Sequence, residues 1–129
     1  MIDLDQILKQ LVARRGSDLH LKIGRPPLFR ISSELVPTEH PVITAADLDE
    51  ILRKFVGEEG YQKLQADFEV DAAYYLPEVA RFRINAFKRM GMFGMVMRVI
   101  PLAVPSIDGM GLPPVLKDIV SSPNGMVLV

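Results

Sequence analysis

The sequence predicts an α+β fold in which an antiparallel sheet is flanked by helices. Apolar residues recur at helical spacing in the segments that follow Asp3 and Thr44. In several other short segments, apolar and polar residues alternate between Gly- and Pro-containing turns, which is typical of half-buried strands. The chain has 129 residues, 49% of them hydrophobic, which is enough for one domain with a substantial core.

Capping residues define the predicted helices. Asp3 can cap the first helix together with Gln6, and Gly16 is a suitable stop. Thr44 is a good N-cap for the second helix, and Gly57 separates it from a third. A short fourth helix is predicted near the end of the chain. The predicted helical ranges are 3–15, 45–56, 58–66 and 115–121.

The predicted strands fall into two groups. They cover residues 17–23, 28–32 and 35–36 in the first group, and 68–76, 79–87 and 92–100 in the second. The first two strands are expected to pair as a hairpin across the turn at 24–27. The second group is expected to form a three-stranded antiparallel meander, because its connections are short.

Composition limits the classes of function. Fifteen Lys and Arg residues against sixteen Asp and Glu residues give a net charge of -1, so there is no global attraction to nucleic acid or membrane. The absence of cysteine excludes disulfides and thiolate nucleophiles and fits a cytoplasmic location. His20 and His40, the two histidines, are too few for a convincing metal site, so we expect none.

Three arginines of the meander are the strongest candidates for functional residues in the sequence. Arg81 and Arg83 are two residues apart on one predicted strand, so they point to the same side. Antiparallel partners across the next turn have numbers that sum to about 180, which brings Arg98 close to both. Convergent guanidinium groups suit phosphate oxygens. On spacing alone, however, a solvated face with ion pairs is the more common arrangement. The acids available for such pairs are Asp67, Glu69 and Asp71.

No complete catalytic motif is present in the sequence. It contains no GxxxxGK[ST] phosphate-binding loop, no GxGxxG and no HExxH. The three acids at alternate positions also admit an acid–base enzyme. A solvated face, or pairing with the arginines, explains them more simply.

The composition changes after Pro101. Proline and glycine crowd residues 101–114, which is typical of a linker between domains. The last four residues, 126–129, are a continuous apolar run that suits a strand buried on both faces of a parallel sheet. One strand cannot make a sheet. We therefore expect the chain to be part of a longer one that completes a second domain.

Several segments, taken in order and spacing, resemble one family. They are residues 17–21 (SDLHL), 24–27 (GRPP), 79–87 (VARFRINAF), 98–101 (RVIP), 111–113 (GLP) and 124–129 (NGMVLV). Each is weak alone, but together they resemble the N-terminal part of the secretion ATPases, which drive type IV pili and type II secretion. The resemblance covers essentially the whole chain.

The resemblance implies a domain organisation and a function. Residues 1–100 would be a PAS-like domain, 101–111 an interdomain linker and 112–129 the start of a RecA-like ATPase domain. The intact protein would be a cytoplasmic homohexamer that hydrolyses ATP with Mg²⁺ and retracts type IV pili in twitching motility. It would lie peripheral to the inner membrane on a platform protein and would not bind nucleic acid. This chain would be its regulatory and oligomerisation domain.

The resemblance also changes the interpretation of the arginines. It implies that Arg83 and Arg98, with a weaker match at Arg81, move toward the γ-phosphate of ATP when the two domains close. They would then be nucleotide-sensing residues. Two alternatives stay open: a paralogous type II secretion or pilus-extension ATPase, and a stand-alone PAS-like sensor module.

The missing motifs make a direct prediction. We expect the 129-residue chain alone not to hydrolyse ATP, because it lacks the groups that hold Mg²⁺ and the triphosphate. Release of inorganic phosphate by the purified chain is the measurement, and turnover above the protein-free blank would contradict the prediction.

Overall fold

A computed structural model describes residues 2–129, and these residues form three helices and six strands. The helices are α1 (Leu4–Ala13), α2 (Ala45–Asp67) and α3 (Val115–Val120). The strands are β1 (Asp18–Lys22), β2 (Leu28–Ile31), β3 (Glu34–Pro37), β4 (Glu69–Leu76), β5 (Ala80–Arg89) and β6 (Met92–Ile100). The predicted elements between residues 3 and 121 are all present, with ends that differ by at most two residues. The α+β fold class is therefore confirmed.

The six strands form one antiparallel sheet in the order β3-β2-β1-β6-β5-β4. The predicted β1–β2 hairpin and the predicted β4–β5–β6 meander are both present. The pairing of β1 with β6, which the sequence pattern did not indicate, joins these two halves.

Helices α1 and α2 cover one face of the sheet. Their apolar residues join alternate strand residues in a single buried core. The strand members of that core are Leu19, Leu21, Phe29, Val70, Leu76, Ala80, Phe82, Ile84, Ala86, Met95 and Met97. The intervening residues point to the other side, which we call the open face. Its central members are Asp18, His20, Arg30, Arg81, Arg83, Asn85, Val96 and Arg98.

Gly57 divides α2 into two helical segments. Its φ of 75° and ψ of 168° are non-helical, so the two predicted helices are present as separate segments of one continuous element. Thr44 and Asp47 form the predicted capping box at the start of α2, each side chain accepting a hydrogen bond from the other's backbone amide. At α1, the Asp3 carboxylate accepts a hydrogen bond from the Gln6 amide.

The apolar run at residues 126–129 is exposed and has no regular structure. Met126 and Leu128 are 84% and 88% exposed. A strand requires a hydrogen-bonded neighbour, and residues 2–129 provide none beside this segment. The predicted strand is therefore not formed in this structure. The division into 1–100, 101–111 and 112–129 stays a prediction.

The backbone at Gly57 predicts a cost for any side chain there. We expect Gly57→Ala to lower the free energy of unfolding by roughly 1–3 kcal/mol, because its φ and ψ lie in a region that residues with a Cβ atom strongly disfavour. Urea unfolding of the purified chain is the measurement. The control is Glu59→Ala, at an exposed helical position, where the expected change is within about 0.5 kcal/mol. Equal effects of the two substitutions would contradict the prediction.

Candidate functional site

A row of charged side chains crosses the open face of the sheet. Strand pairing places Arg30 of β2 opposite Asp18 of β1, and Asp18 opposite Arg98 of β6. Arg98 lies in turn opposite Arg83 of β5. Directly paired residues share one face of a sheet, so four adjacent strands each contribute one charged group. We call Arg30, Asp18, Arg98 and Arg83 the charged row.

The register of the three predicted arginines agrees with the sequence-based expectation. Arg83 pairs with Arg98, which brings these two side chains together. Arg81 pairs with Ile100, so it lies two residues away from the charged row. Its guanidinium carbon is 6.0 Å from the centroid of the Tyr75 ring. The structure therefore separates a central pair from a peripheral third arginine.

Asp18 lies at the centre of the charged row and is buried. It is 3% exposed, and it is the only buried polar or charged residue among residues 2–129. The Nε of Arg98 donates to Oδ1 of Asp18 at 2.9 Å, and the hydroxyl of Ser17 donates to Oδ2 at 2.8 Å. The Nε of Arg30 is 3.5 Å from the same Oδ2. Three polar groups therefore compensate one buried carboxylate.

These contacts determine the charge of Asp18. Burial alone would raise the pKa of Asp18, because it disfavours the ionised form. The hydrogen bond from Ser17 and the charged hydrogen bond from Arg98 outweigh that effect and hold the pKa of Asp18 below its ordinary value. Asp18 is thus a fixed negative charge between two guanidinium groups at neutral pH.

The arginines of the central pair are exposed and differ in how they are held. Arg98 is 71% exposed, and within residues 2–129 its two terminal nitrogens make no hydrogen bond. Arg83 is 68% exposed, and one of its terminal nitrogens is 3.8 Å from the Asp71 carboxylate, too far for a hydrogen bond. The alternative in which the arginines pair with Asp67, Glu69 or Asp71 therefore applies only to the weak contact between Arg83 and Asp71. Arg98 pairs with Asp18 instead.

The three acids predicted on one strand face do not act together. Asp67 ends α2 and does not belong to β4. Glu69 and Asp71 lie on the open face, where the Asn85 side-chain amide donates to both carboxylates at 2.8 and 3.4 Å. With the central arginine pair they line a depression of about 360 Å³ on the sheet surface. This is not the deep cleft that an acid–base enzyme requires.

His20 lies next to Asp18 on the open face, but its imidazole does not add a positive charge to that face at neutral pH. Burial lowers the pKa of His20, and the positive charge of Arg30 lowers it further. Its Nε2 atom is buried without a hydrogen-bond partner in the described part of the chain. The other histidine, His40, lies elsewhere, against Gln10 of α1. The two histidines therefore do not meet.

Asp18 is the functional candidate that the sequence pattern does not reveal. It lies on the same side of β1 as His20 and Lys22 and alternates with Leu19 and Leu21, as the solvated residues of any half-buried strand do. Only the pairing of β1 with β6 buries it and places it beside Arg98. Asp18 and Arg98 are 80 positions apart in the sequence, so local periodicity cannot indicate that their strands pair.

Comparison with known proteins connects this fold to a class. No protein-family model matches the chain. It is 29% identical over 128 residues to the type IV pilus retraction ATPase PilT of Pseudomonas aeruginosa, covering 99% of this chain and 37% of that protein. It is 24% identical over 127 residues to the type IV pilus ATPase PilU of the same organism, covering 98% and 33%. The chain thus spans about a third of the length of these curated relatives.

A solved structure supports the same assignment. The crystal structure of the pilus retraction motor PilT with bound ADP matches with a TM-score of 0.79 and 28% identity, over 92% of this chain and 35% of that chain. The α+β fold of this chain therefore matches the N-terminal domain of PilT-like ATPases. Within that class, the chain matches the type IV pilus ATPases PilT and PilU over nearly its whole length, which confirms the predicted resemblance.

The contacts of Asp18 predict how its pKa responds to mutation. We expect Arg98→Ala to raise the pKa of Asp18, because the hydrogen bond and the positive charge are lost while burial remains. Titration of the side-chain carboxyl carbon by NMR is the measurement. Arg83→Ala is the matched control and should change this pKa less, since Arg83 does not contact Asp18. Equal shifts in the two variants would contradict the prediction.

The direction of the pKa shift also has a consequence for stability. Because the pKa of Asp18 is lowered on folding, the ionised carboxylate adds to the free energy of unfolding. This contribution is complete at pH values above the unfolded-state pKa of about 4. That contribution is lost as the pH falls through the lowered pKa. In Arg98→Ala this part of the acid dependence should shrink or change sign, as measured by urea unfolding between neutral pH and about pH 3.

Proposed function

We propose that this chain is the N-terminal domain of a type IV pilus motor ATPase, and that its open face turns toward the nucleotide. Its similarity to PilT and PilU supports the class of protein. The observation that carries the proposal is the exposed pair Arg83 and Arg98 on the uncovered side of the sheet. Adjacent guanidinium groups repel each other, and an anion bound between them would remove that repulsion.

The chemistry of that pair suits a nucleoside triphosphate. A guanidinium group presents a planar fork of donors that matches phosphate oxygens. Brought to the γ-phosphate, it neutralises charge that develops on the transferred phosphoryl group. ATP and Mg²⁺ themselves would be held by the ATPase domain. Arg83 and Arg98 would act as nucleotide-sensing residues, with Arg81 beside them.

A regulatory role of the domain would follow if its movement brings these arginines to the bound ATP. If the open face closes on ATP and opens after hydrolysis, the angle between the domains reports the nucleotide state. The proposed division is a PAS-like domain at 1–100, a linker at 101–111 and the start of a RecA-like domain at 112–129. The abundance of Pro and Gly after Pro101 supports a hinge there. The exposed run at 126–129 would join the sheet of the ATPase domain.

The proposed assembly is a cytoplasmic homohexamer on a platform protein at the inner membrane. In it, the domain would contact its own ATPase domain and neighbouring subunits, which gives it an oligomerisation role. Among residues 2–129, no helix combines the length and the apolar character needed to cross a membrane. Similarity to PilU as well as PilT supports a second candidate within the same class, a pilus ATPase other than the retraction motor.

The proposal predicts a specific loss of activity. In the full-length gene product, we expect Arg83→Ala and Arg98→Ala each to lower ATP turnover at least tenfold, because the transition state loses a positive charge. Arg81→Ala should have a smaller effect, since Arg81 lies outside the charged row. Steady-state ATP hydrolysis gives both kcat and KM.

Arg89→Ala is the matched control. Arg89 lies on the same strand and the same face as Arg83, about 20 Å further along. Its substitution should leave turnover near the wild-type value. Equal turnover in the Arg83, Arg98 and Arg89 variants would reject the proposed role of the charged row.

A further inference from the structure

We propose that Asp18 is a positioning residue that holds Arg98 with its two terminal nitrogens directed outward on the open face. The inference rests on the proposed function of the charged row and assigns a role to a residue outside the sensing arginines.

The contact uses the inner edge of the guanidinium group. Asp18 accepts its hydrogen bond from Nε of Arg98 at 2.9 Å, with no second bond from a terminal nitrogen. An arginine side chain has five N–H donors, of which Nε supplies one. Both terminal nitrogens of Arg98 are therefore available for a bidentate contact with an anionic oxygen group. A carboxylate that accepted from the terminal nitrogens would instead occupy that fork.

The carboxylate of Asp18 is fixed on both sides. Its second oxygen accepts a hydrogen bond from the Ser17 hydroxyl and lies 3.5 Å from Nε of Arg30. The backbone around it is also fixed, because the Ser17 amide donates to the Arg30 carbonyl and the Val99 amide donates to the Ser17 carbonyl. Rotation of the Asp18 side chain would break several of these contacts together. Arg98 is thus attached to a rigid point of the sheet.

Folding stability alone is a weak reason for this arrangement. A buried carboxylate loses its hydration, and a buried ion pair is often no more stabilising than apolar residues of similar size. What an apolar residue cannot do is orient a guanidinium group. Orientation is therefore the contribution that distinguishes Asp18.

Arg83 provides an internal comparison. Its nearest carboxylate, Asp71, is 3.8 Å away and 58% exposed. Arg83 is therefore not held as Arg98 is held. The central pair therefore combines one oriented guanidinium group with one adaptable group.

The first test is spectroscopic and uses the chain described here. In ¹⁵N NMR spectra, the Nε–H of Arg98 should give a slowly exchanging signal, because it is bonded to a buried carboxylate. We expect Asp18→Ala to broaden or remove this signal, because alanine offers no acceptor, and Asp71→Ala to leave it unchanged. Persistence of the Arg98 signal in Asp18→Ala overturns the inference.

The second test measures ATP hydrolysis by the full-length gene product in a double-mutant cycle. We expect Asp18→Ala to lower turnover severalfold and to have no further effect when Arg98 is already alanine. An equal fold-loss in both backgrounds indicates a structural role and overturns the inference. If Asp18→Ala does not fold, Ser17→Ala replaces it, with Ser17→Thr as the variant that keeps the hydroxyl and should restore turnover.

The two tests also separate this inference from the proposed function. If Arg98→Ala leaves ATP turnover unchanged, the proposed function of the charged row fails. The spectroscopic test then decides the positioning of Arg98 by itself. If Arg98→Ala lowers turnover and Asp18→Ala does not, the proposed function stands and the positioning role of Asp18 is rejected.

Discussion

The pairing of β1 with β6 is the interaction on which the rest of the structure depends. It joins a three-stranded hairpin region to a three-stranded meander and places Asp18 opposite Arg98. A slip by one residue would turn the side chains of β1 to the opposite face. The fully buried residues Leu19 and Leu21 oppose such a slip, because they would leave the helix-covered core for solvent. Apolar packing on one face therefore sets the charged geometry on the other.

Covering one face of the sheet leaves the other free for polar chemistry. On that face a single buried carboxylate lies among three arginines, and the donors around it keep it ionised despite burial. Within the charged row three arginines accompany one carboxylate, and its two most exposed guanidinium groups are adjacent. A phosphate group offers several oxygens that match paired guanidinium forks. The proposed partnership with an ATPase domain supplies that phosphate.

Much of the fold follows from local patterns. Alternation predicted the strands, and Gly57 and Thr44 predicted where helical segments begin and end. The register of Arg83 with Arg98 followed from a short turn. The β1–β6 pairing did not, because it joins residues 80 positions apart and depends on the packing of the whole sheet. For that reason the sequence pattern does not single out Asp18, and the acids it offers as alternative partners for the arginines are Asp67, Glu69 and Asp71. The apolar run at 126–129 was expected to form a strand, but its partner lies in no part of the described chain.

The central claim is that the open face meets the nucleotide. A structure of the full-length gene product with a non-hydrolysable ATP analogue tests it most directly. We expect a guanidinium group of Arg83 or Arg98 within about 3 Å of a γ-phosphate oxygen in closed subunits, with Asp18 still bonded to Nε of Arg98. Nucleotide-bound subunits whose open face contacts only solvent or another protein surface, with both arginines remote from phosphate, would contradict the claim.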